Sequence, residues 1–133
     1  MREIKFRAKV KWNGNHYFAG EWVIGHYHQN EKGEHLIFDN EDNYIANIGD
    51  FTRYEDVEID ETTLGECTGL KDKNGVDIYE GDLVKEYWQK EPSVIVYFTD
   101  AYGFFDSYNN FHRLSITNEL VSIVGNIHDK ENK

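Results

Sequence analysis

Three histidines, His26, His28 and His35, are the residues whose type and spacing could most directly do chemistry. His26 and His28 lie two positions apart at the end of the run EWVIGHYH, and residues 30–33 have the composition of a tight turn. If that turn closes a hairpin, His28 lies opposite His35 and the three imidazoles share one face. Imidazole nitrogens bind transition metals, so the pattern predicts a metal site and, with it, a metal-dependent hydrolase. The competing interpretation is a polar surface with scattered histidines, and a register change of one residue would move His35 to the other face.

Aromatic residues are the second candidate for function. The chain has 3 Trp, 9 Tyr and 8 Phe, and the second half contains a dense group of rings. We expect most of these rings to fill the core, because large rings bury much area and suit strands. Tyr102, Tyr108 and Phe111 lie beside turns and are the rings predicted to be exposed and to bind a partner. A single-stranded nucleic-acid site built on such rings is an alternative that the negative charge disfavours.

Charge is distributed unevenly along the chain. The formal net charge is −11, which disfavours non-specific binding to nucleic acid or to an anionic membrane. Residues 39–66 carry ten acids and one base, whereas residues 1–12 carry five bases and one acid. A solvated acidic face and a solvated basic strand explain this pattern. The sharper interpretations are an interface between subunits of a homo-oligomer, built on Lys5, Arg7, Lys9 and Lys11, and an acidic decoy of a host nucleic-acid-binding protein.

No other pattern indicates catalysis. The single cysteine, Cys67, has no cue for activation, and the glycines lie in predicted β turns rather than in a phosphate-binding loop. The sequence indicates no cofactor, and it favours a non-enzymatic protein over an enzyme. One cysteine, no apolar N-terminal segment and no apolar run of about 18 residues together predict a cytoplasmic location and no membrane partner.

The elements that would position these residues are predicted to be mainly β, with little helix. The stretch EIKFRAKVKW alternates strictly, Asn13-Gly14 predicts a two-residue hairpin turn after it, and no segment sustains a 3.6-residue apolar period. Asn74-Gly75 predicts a second tight hairpin, and Asp82 is expected to brace the turn at Gly81. We predict antiparallel hairpins over residues 1–66, a small SH3-like barrel over 67–128, and a polar tail over 129–133.

Three segments together resemble the YopX family of phage and prophage proteins. They are MREIKFRA, ETTLGECTGLKDKNGVDIYEGDLVK and IVGNIHD, of which the central one is the most specific. The chain departs from the family pattern at Cys67, where an aromatic residue is usual, and at His128, where tyrosine is usual. The resemblance implies a small β protein encoded by phages or prophages, acting in the bacterial cytoplasm, with no known catalytic residue. We therefore expect a non-enzymatic, self-associating module that binds a host or phage protein.

Overall fold

The computed structural model describes residues 5–14, 17–45 and 49–129, and the side chains at 5–14, 17–38 and 56–129. Within these ranges the chain is mainly antiparallel β, as predicted. Four strands come first along the chain: β1 (Phe6–Val10), β2 (Trp22–Gln29), β3 (His35–Ile45) and β4 (Gly49–Lys71). Seven shorter strands follow: β5 (Asp77–Tyr79), β6 (Asp82–Lys85), β7 (Ser93–Val94), β8 (Val96–Phe98), β9 (Ala101–Phe105), β10 (Phe111–Arg113) and β11 (Ser122–Asn126).

Among the described residues, helix is confined to one short segment between β10 and β11. A four-residue helix, α1 (Leu114–Thr117), is followed by a 3₁₀ turn over Asn118–Leu120. Neither is long and apolar enough to cross a membrane, and the part of the chain that the structure describes has no other helix.

The chain divides into two compact units, one ending at Glu66 and the other beginning at Cys67, so the division falls within β4. In the first unit β1 pairs with β2, β2 with β3 and β3 with β4, all antiparallel, and β1 pairs also with β4. Alternate residues of these strands turn to one side and form a core, because successive side chains of a strand point to opposite faces. That core consists of Ala8, Val10, Val23, Ile37, Val57 and Ile59.

The predicted two-residue turn at Asn13-Gly14 is wrong. Ala8 pairs with Val23, so the connection from β1 to β2 is a loop of eleven residues, from Lys11 to Glu21. Pairing Ala8 with Val23 places two fully buried side chains side by side in the core. The burial of the strands thus outweighs the local preference of Asn-Gly for a tight turn.

The second unit begins with the hairpin predicted at Asn74-Gly75, which the structure confirms. The end of β4 pairs with β5 around it, and Gly75 has a φ of 81°, which glycine adopts without strain. The next turn, at Gly81, is braced as predicted, because the Asp82 carboxylate accepts the Tyr79 backbone N–H at 2.8 Å.

The remaining strands of the second unit form two three-stranded sheets, β11-β6-β7 and β10-β9-β8. The pairings of the described residues do not close these sheets into one ring of hydrogen bonds, so the architecture shown is mainly antiparallel β rather than a closed barrel. The core between these strands consists of Ile78, Val84, Ile95, Phe104, Leu114 and Val121.

The expectation that most rings of the second half fill the core is wrong. Among the described residues of the second unit, Phe104 and Tyr79 are the buried rings, and the core cluster that contains Phe104 is otherwise aliphatic. Five rings in the described part of this unit are exposed instead: Tyr87, Trp88, Tyr97, Phe98 and Tyr108. Short strands leave a narrow interior that branched aliphatic side chains fill, so the larger rings remain at the surface.

Candidate functional site

A cleft of about 760 Å³ lies in the second unit between two loops. One wall is the segment from Trp88 to Val96, which connects β6 to β8, and the other is the segment from Phe105 to Tyr108, which leaves β9. Apolar side chains including Pro92 and Phe105 line it together with polar groups. This combination of concave apolar surface with a few polar groups is typical of binding sites.

The first wall is built around a buried amide. Gln89 is only 8% exposed, and its Oε1 accepts the backbone N–H of Glu86 at 2.8 Å. Its Nε2 donates to Ser93 Oγ at 2.9 Å and to the Glu91 carbonyl at 3.5 Å. One side chain therefore ties together both ends of the loop, which leaves Trp88 at its outer side, 44% exposed.

The second wall is built around a carboxylate. Oδ1 of Asp106 accepts the backbone N–H groups of Tyr108 at 2.8 Å and Asn110 at 3.0 Å. Oδ2 lies 2.8 Å from His112 Nε2. The hydrogen bond from His112, followed by those from the backbone, lowers the pKa of Asp106 to about 2. Asn109 supports the same reversal with a φ of 67°, a conformation that asparagine tolerates.

Ring contacts connect the two walls to the core. The His112 ring stacks on the buried Phe104 ring, with centroids 5.0 Å apart and planes 10° apart. Trp88 lies against the same imidazole at 5.7 Å and 41°. His112 thus contacts the core ring, the ring of the first wall and the carboxylate of the second wall. We infer that this imidazole fixes the position of both walls.

The three rings predicted to bind a partner lie in different surroundings. Tyr108 is 85% exposed and lines the cleft. Tyr102 is half-buried, packs against the core and meets Tyr97 edge-on at 5.0 Å. Phe111 is half-buried in a group of three rings with Phe98 and Phe105, at centroid distances of 5.0 to 5.1 Å. Of the three, only Tyr108 belongs to the cleft.

The predicted register of the three histidines is wrong by one residue. His28 pairs with Leu36 and His35 pairs with Gln29, so His35 lies on the opposite face from His26 and His28. The core explains the difference, because this register places Tyr27 beside the fully buried Ile37.

Each of two histidines has another partner in this register. His28 Nε2 bonds to Asp56 at 2.7 Å, and His35 Nδ1 lies 2.6 Å from the Tyr27 hydroxyl. The described residues contain no group of three or more metal-ligating side chains. The three-imidazole site predicted from the sequence is therefore not formed.

Arg7 and Lys9 of β1 lie on the face opposite the core, because they alternate with the buried Ala8 and Val10. The Arg7 guanidinium lies over the Trp22 ring at 4.4 Å, and Lys9 Nζ lies over the same ring at 5.2 Å. Lys11 pairs with Glu58 at 3.5 Å, and Lys5 is half-buried. The Lys11–Glu58 pair is thus a contact between the basic N-terminal segment and acidic β4 within one chain. The interface between subunits predicted at Lys5, Arg7, Lys9 and Lys11 stays a prediction.

Two residues that form the cleft walls were missed in the sequence. Asp106 is followed by Asn109 and Asn110, and an acid ahead of asparagine-rich turn residues is a signal for a side-chain-braced loop. Gln89 carries no such signal, because its burial depends on how the loop folds back over it.

Comparison with known proteins identifies the family of the chain. The model of the YopX protein family matches residues 5–132. The chain belongs to the YopX family. The crystal structure of protein EF1440 from Enterococcus faecalis is similar to this YopX chain, with a TM-score of 0.55 and 20% identity. The likeness covers 95% of this chain and 94% of that one, and at this identity it concerns the fold alone. No curated protein matches the chain significantly.

Proposed function

We propose that this YopX chain is a non-enzymatic, self-associating module that binds a segment of a partner protein in the cleft of its second unit. The observation that carries the proposal is that Trp88 and Tyr108 stand exposed on two loops that are each held by an internal polar side chain. Tyrosine and tryptophan are enriched at protein interfaces and dominate their binding energy.

Rigid loops favour such a role because binding then costs little ordering entropy. Gln89 and Asp106 already hold the backbone of the two walls by hydrogen bonds. A partner segment would therefore meet two rings whose loops are ordered before binding. Preorganisation of this kind raises affinity without any additional contact.

The polar groups near the cleft support binding rather than catalysis. The contacts of Asp106 all serve the loop, since one oxygen accepts two backbone N–H groups and the other bonds to His112. The His112 ring contacts the rings of both Phe104 and Trp88. Cys67, the single cysteine of the chain, is buried and does not line the cleft.

The biological setting is part of the same proposal. The family resemblance supports an origin in a phage or prophage and a site of action in the bacterial cytoplasm, with a host or phage protein as partner. The single cysteine is compatible with a reducing compartment.

Two tyrosine variants test the cleft. Wild type, Tyr108→Ala and Tyr87→Ala are each immobilised and used to capture proteins from a bacterial lysate, and the recovered proteins are identified by mass spectrometry. Tyr87 is the matched control, because it is 96% exposed but does not line the cleft. The affinity of each purified partner is then measured by calorimetric titration against all three proteins.

We expect Tyr108→Ala to weaken binding by about 2 kcal/mol, or roughly thirtyfold, and Tyr87→Ala to leave it within about twofold. Equal binding by all three proteins would show that the cleft is not the site. Recovery of no partner would contradict the proposed binding function. Self-association is tested separately by light scattering at several salt concentrations, and a monomer at micromolar concentration and low salt would contradict it.

A further inference from the structure

A two-stranded ribbon extends from the first unit. Residues 39–45 of β3 pair with residues 49–55 of β4 through seven consecutive pairs, from Asp39 with Glu55 to Ile45 with Gly49. The pairing of β3 with β2 ends at Phe38, and β1 meets β4 only at residues 59–60 and 65–66. Among the strand pairings of the described residues, the ribbon therefore has no third strand on either side.

A two-stranded ribbon that packs against nothing else is an unusual structure in a folded protein. An isolated pair of strands is only marginally stable in water, and each of its two edges presents backbone N–H and C=O groups that can pair with another chain. Seven residues of strand span about 23 Å at roughly 3.3 Å each. The ribbon sequence also contains four large apolar or aromatic residues: Tyr44, Ile45, Phe51 and Tyr54.

The charge of the ribbon identifies a complementary surface on the same protein. Residues 39–55 contain five acids and one arginine, whereas residues 5–11 contain four bases and no acid. Within one chain, this basic segment already contacts both an acid and a ring, since Lys11 pairs with Glu58 and Arg7 lies over Trp22. The ribbon sequence contains the same two kinds of residue, acids and aromatic residues.

We propose that the ribbon is the arm through which two copies of the chain associate, the ribbon of one copy lying against the basic segment 5–11 of the other. The inference rests on the proposed self-association and names its surface. A two-fold symmetric dimer would make this contact twice, which doubles a contact that is small by itself. Opposite charges on the two surfaces set the register of the contact.

Removal of the ribbon tests the inference. In the shortened variant, Asn-Gly replaces residues 40–54, so that Asp39 and Glu55, which already pair, flank a two-residue turn. Sedimentation equilibrium gives the mass of full chain and variant at several concentrations, and far-ultraviolet circular dichroism with thermal unfolding reports the fold. We expect the variant to fold cooperatively and to be monomeric at concentrations where the full chain associates.

A charge variant tests the proposed contact of the ribbon independently of the deletion. Glu41→Lys with Asp42→Lys reverses two ribbon charges, and Glu31→Lys with Glu119→Lys makes the same change in net charge at two exposed positions outside the ribbon. We expect the ribbon pair to raise the dissociation constant at least tenfold and the control pair to change it less than twofold.

The possible results separate the two proposals. A full chain that remains monomeric overturns self-association and the ribbon inference together. A full chain that associates no more strongly than the shortened variant, or a ribbon pair that behaves like the control pair, overturns the inference and leaves self-association standing.

Discussion

Asp106 and His112 hold the two ends of the β9–β10 connection together, with His112 Nε2 2.8 Å from Asp106 Oδ2. The other oxygen of the same carboxylate accepts the backbone N–H of Tyr108, the most exposed ring of the cleft. The presentation of Tyr108 therefore depends on a carboxylate that must remain ionised.

The first prediction concerns pH. His112 and the loop backbone lower the pKa of Asp106 to about 2, below its ordinary value of 3.8, so its ionised form stabilises the folded state. This contribution is fully present above the unfolded-state pKa and is lost as pH falls through the folded-state pKa. We expect Asp106→Asn to lower the melting temperature near neutral pH, with the difference from wild type shrinking as pH falls from about 4 to about 2.

Thermal unfolding followed by circular dichroism from acid to neutral pH measures this difference. Asp100→Asn is the control, because Asp100 pairs with Arg113 at an exposed position and should change the melting temperature less. A gap between Asp106→Asn and wild type that stays constant down to pH 2 would contradict the prediction.

The second prediction concerns the buried amide of the first wall. Gln89→Ala leaves the Glu86 N–H and the Ser93 hydroxyl without their partner, so we expect the free energy of unfolding to fall by about 1–3 kcal/mol. Gln29→Ala should change it by less than about 0.5 kcal/mol, because Gln29 is exposed and its bond to the Gly33 carbonyl can be replaced by water. Urea unfolding of both variants makes the comparison, and equal losses would show that Gln89 does not organise the loop.

The third prediction concerns Asp72, which joins the Asn74-Gly75 hairpin to β11. Burial raises the pKa of this carboxyl, but backbone N–H groups of Val76, Ile123 and Asn74 outweigh that effect and hold the pKa below 3.8. We expect Asp72→Ala to remove about 1.5–3 kcal/mol of stability at neutral pH, the usual value of hydrogen bonds to a charged group. Because the native pKa is lowered, this stabilisation is lost as pH falls below about 4.

Urea unfolding at neutral and acidic pH checks the prediction for Asp72. The difference between Asp72→Ala and wild type should be large at pH 7 and should narrow in acid. A difference that widens in acid would reverse the sign and exclude the proposed role of the ionised carboxylate.

The fourth prediction tests the register of β2 against β3. A Cβ added at Gly25 would overlap the backbone carbonyl of Phe38, whereas one added at Gly14 would meet no atom within 4 Å. Gly25→Ala should therefore destabilise the first unit by about 1–3 kcal/mol, the usual effect of overpacking. Gly14→Ala should stay within about 0.5 kcal/mol of wild type. If the two substitutions have the same effect in thermal unfolding, the close approach at Gly25 is contradicted.

Local patterns explain which parts of the fold could be read from the sequence. The strict alternation around β1 and the glycine turns at Gly75 and Gly81 predicted strands and reversals that the structure contains. Each is decided within a few residues, by side-chain period or by the φ angles that glycine allows. The family resemblance was also recognised from short motifs, and the family is confirmed over residues 5–132.

The candidate site was predicted only in part. The residues that were missed or misplaced have positions that depend on contacts between distant parts of the chain. Tyr108 was predicted to be exposed because it lies next to a turn, whereas Trp88 was not among the rings predicted to be exposed and Gln89 was not identified from the sequence. The prediction that the three histidines share one face was wrong, because a shift of one residue between β2 and β3 separates His35 from His28.

The sequence by itself determined that this protein is mainly β and strongly acidic and that the chain turns at Gly75 and Gly81, because those properties belong to single residues and short stretches. The tertiary structure alone decided the strand register, the aliphatic cores and the exposed rings around the cleft. Those features depend on how several distant strands bury side chains together, and that packing free energy is a property of the assembled fold rather than of any one segment.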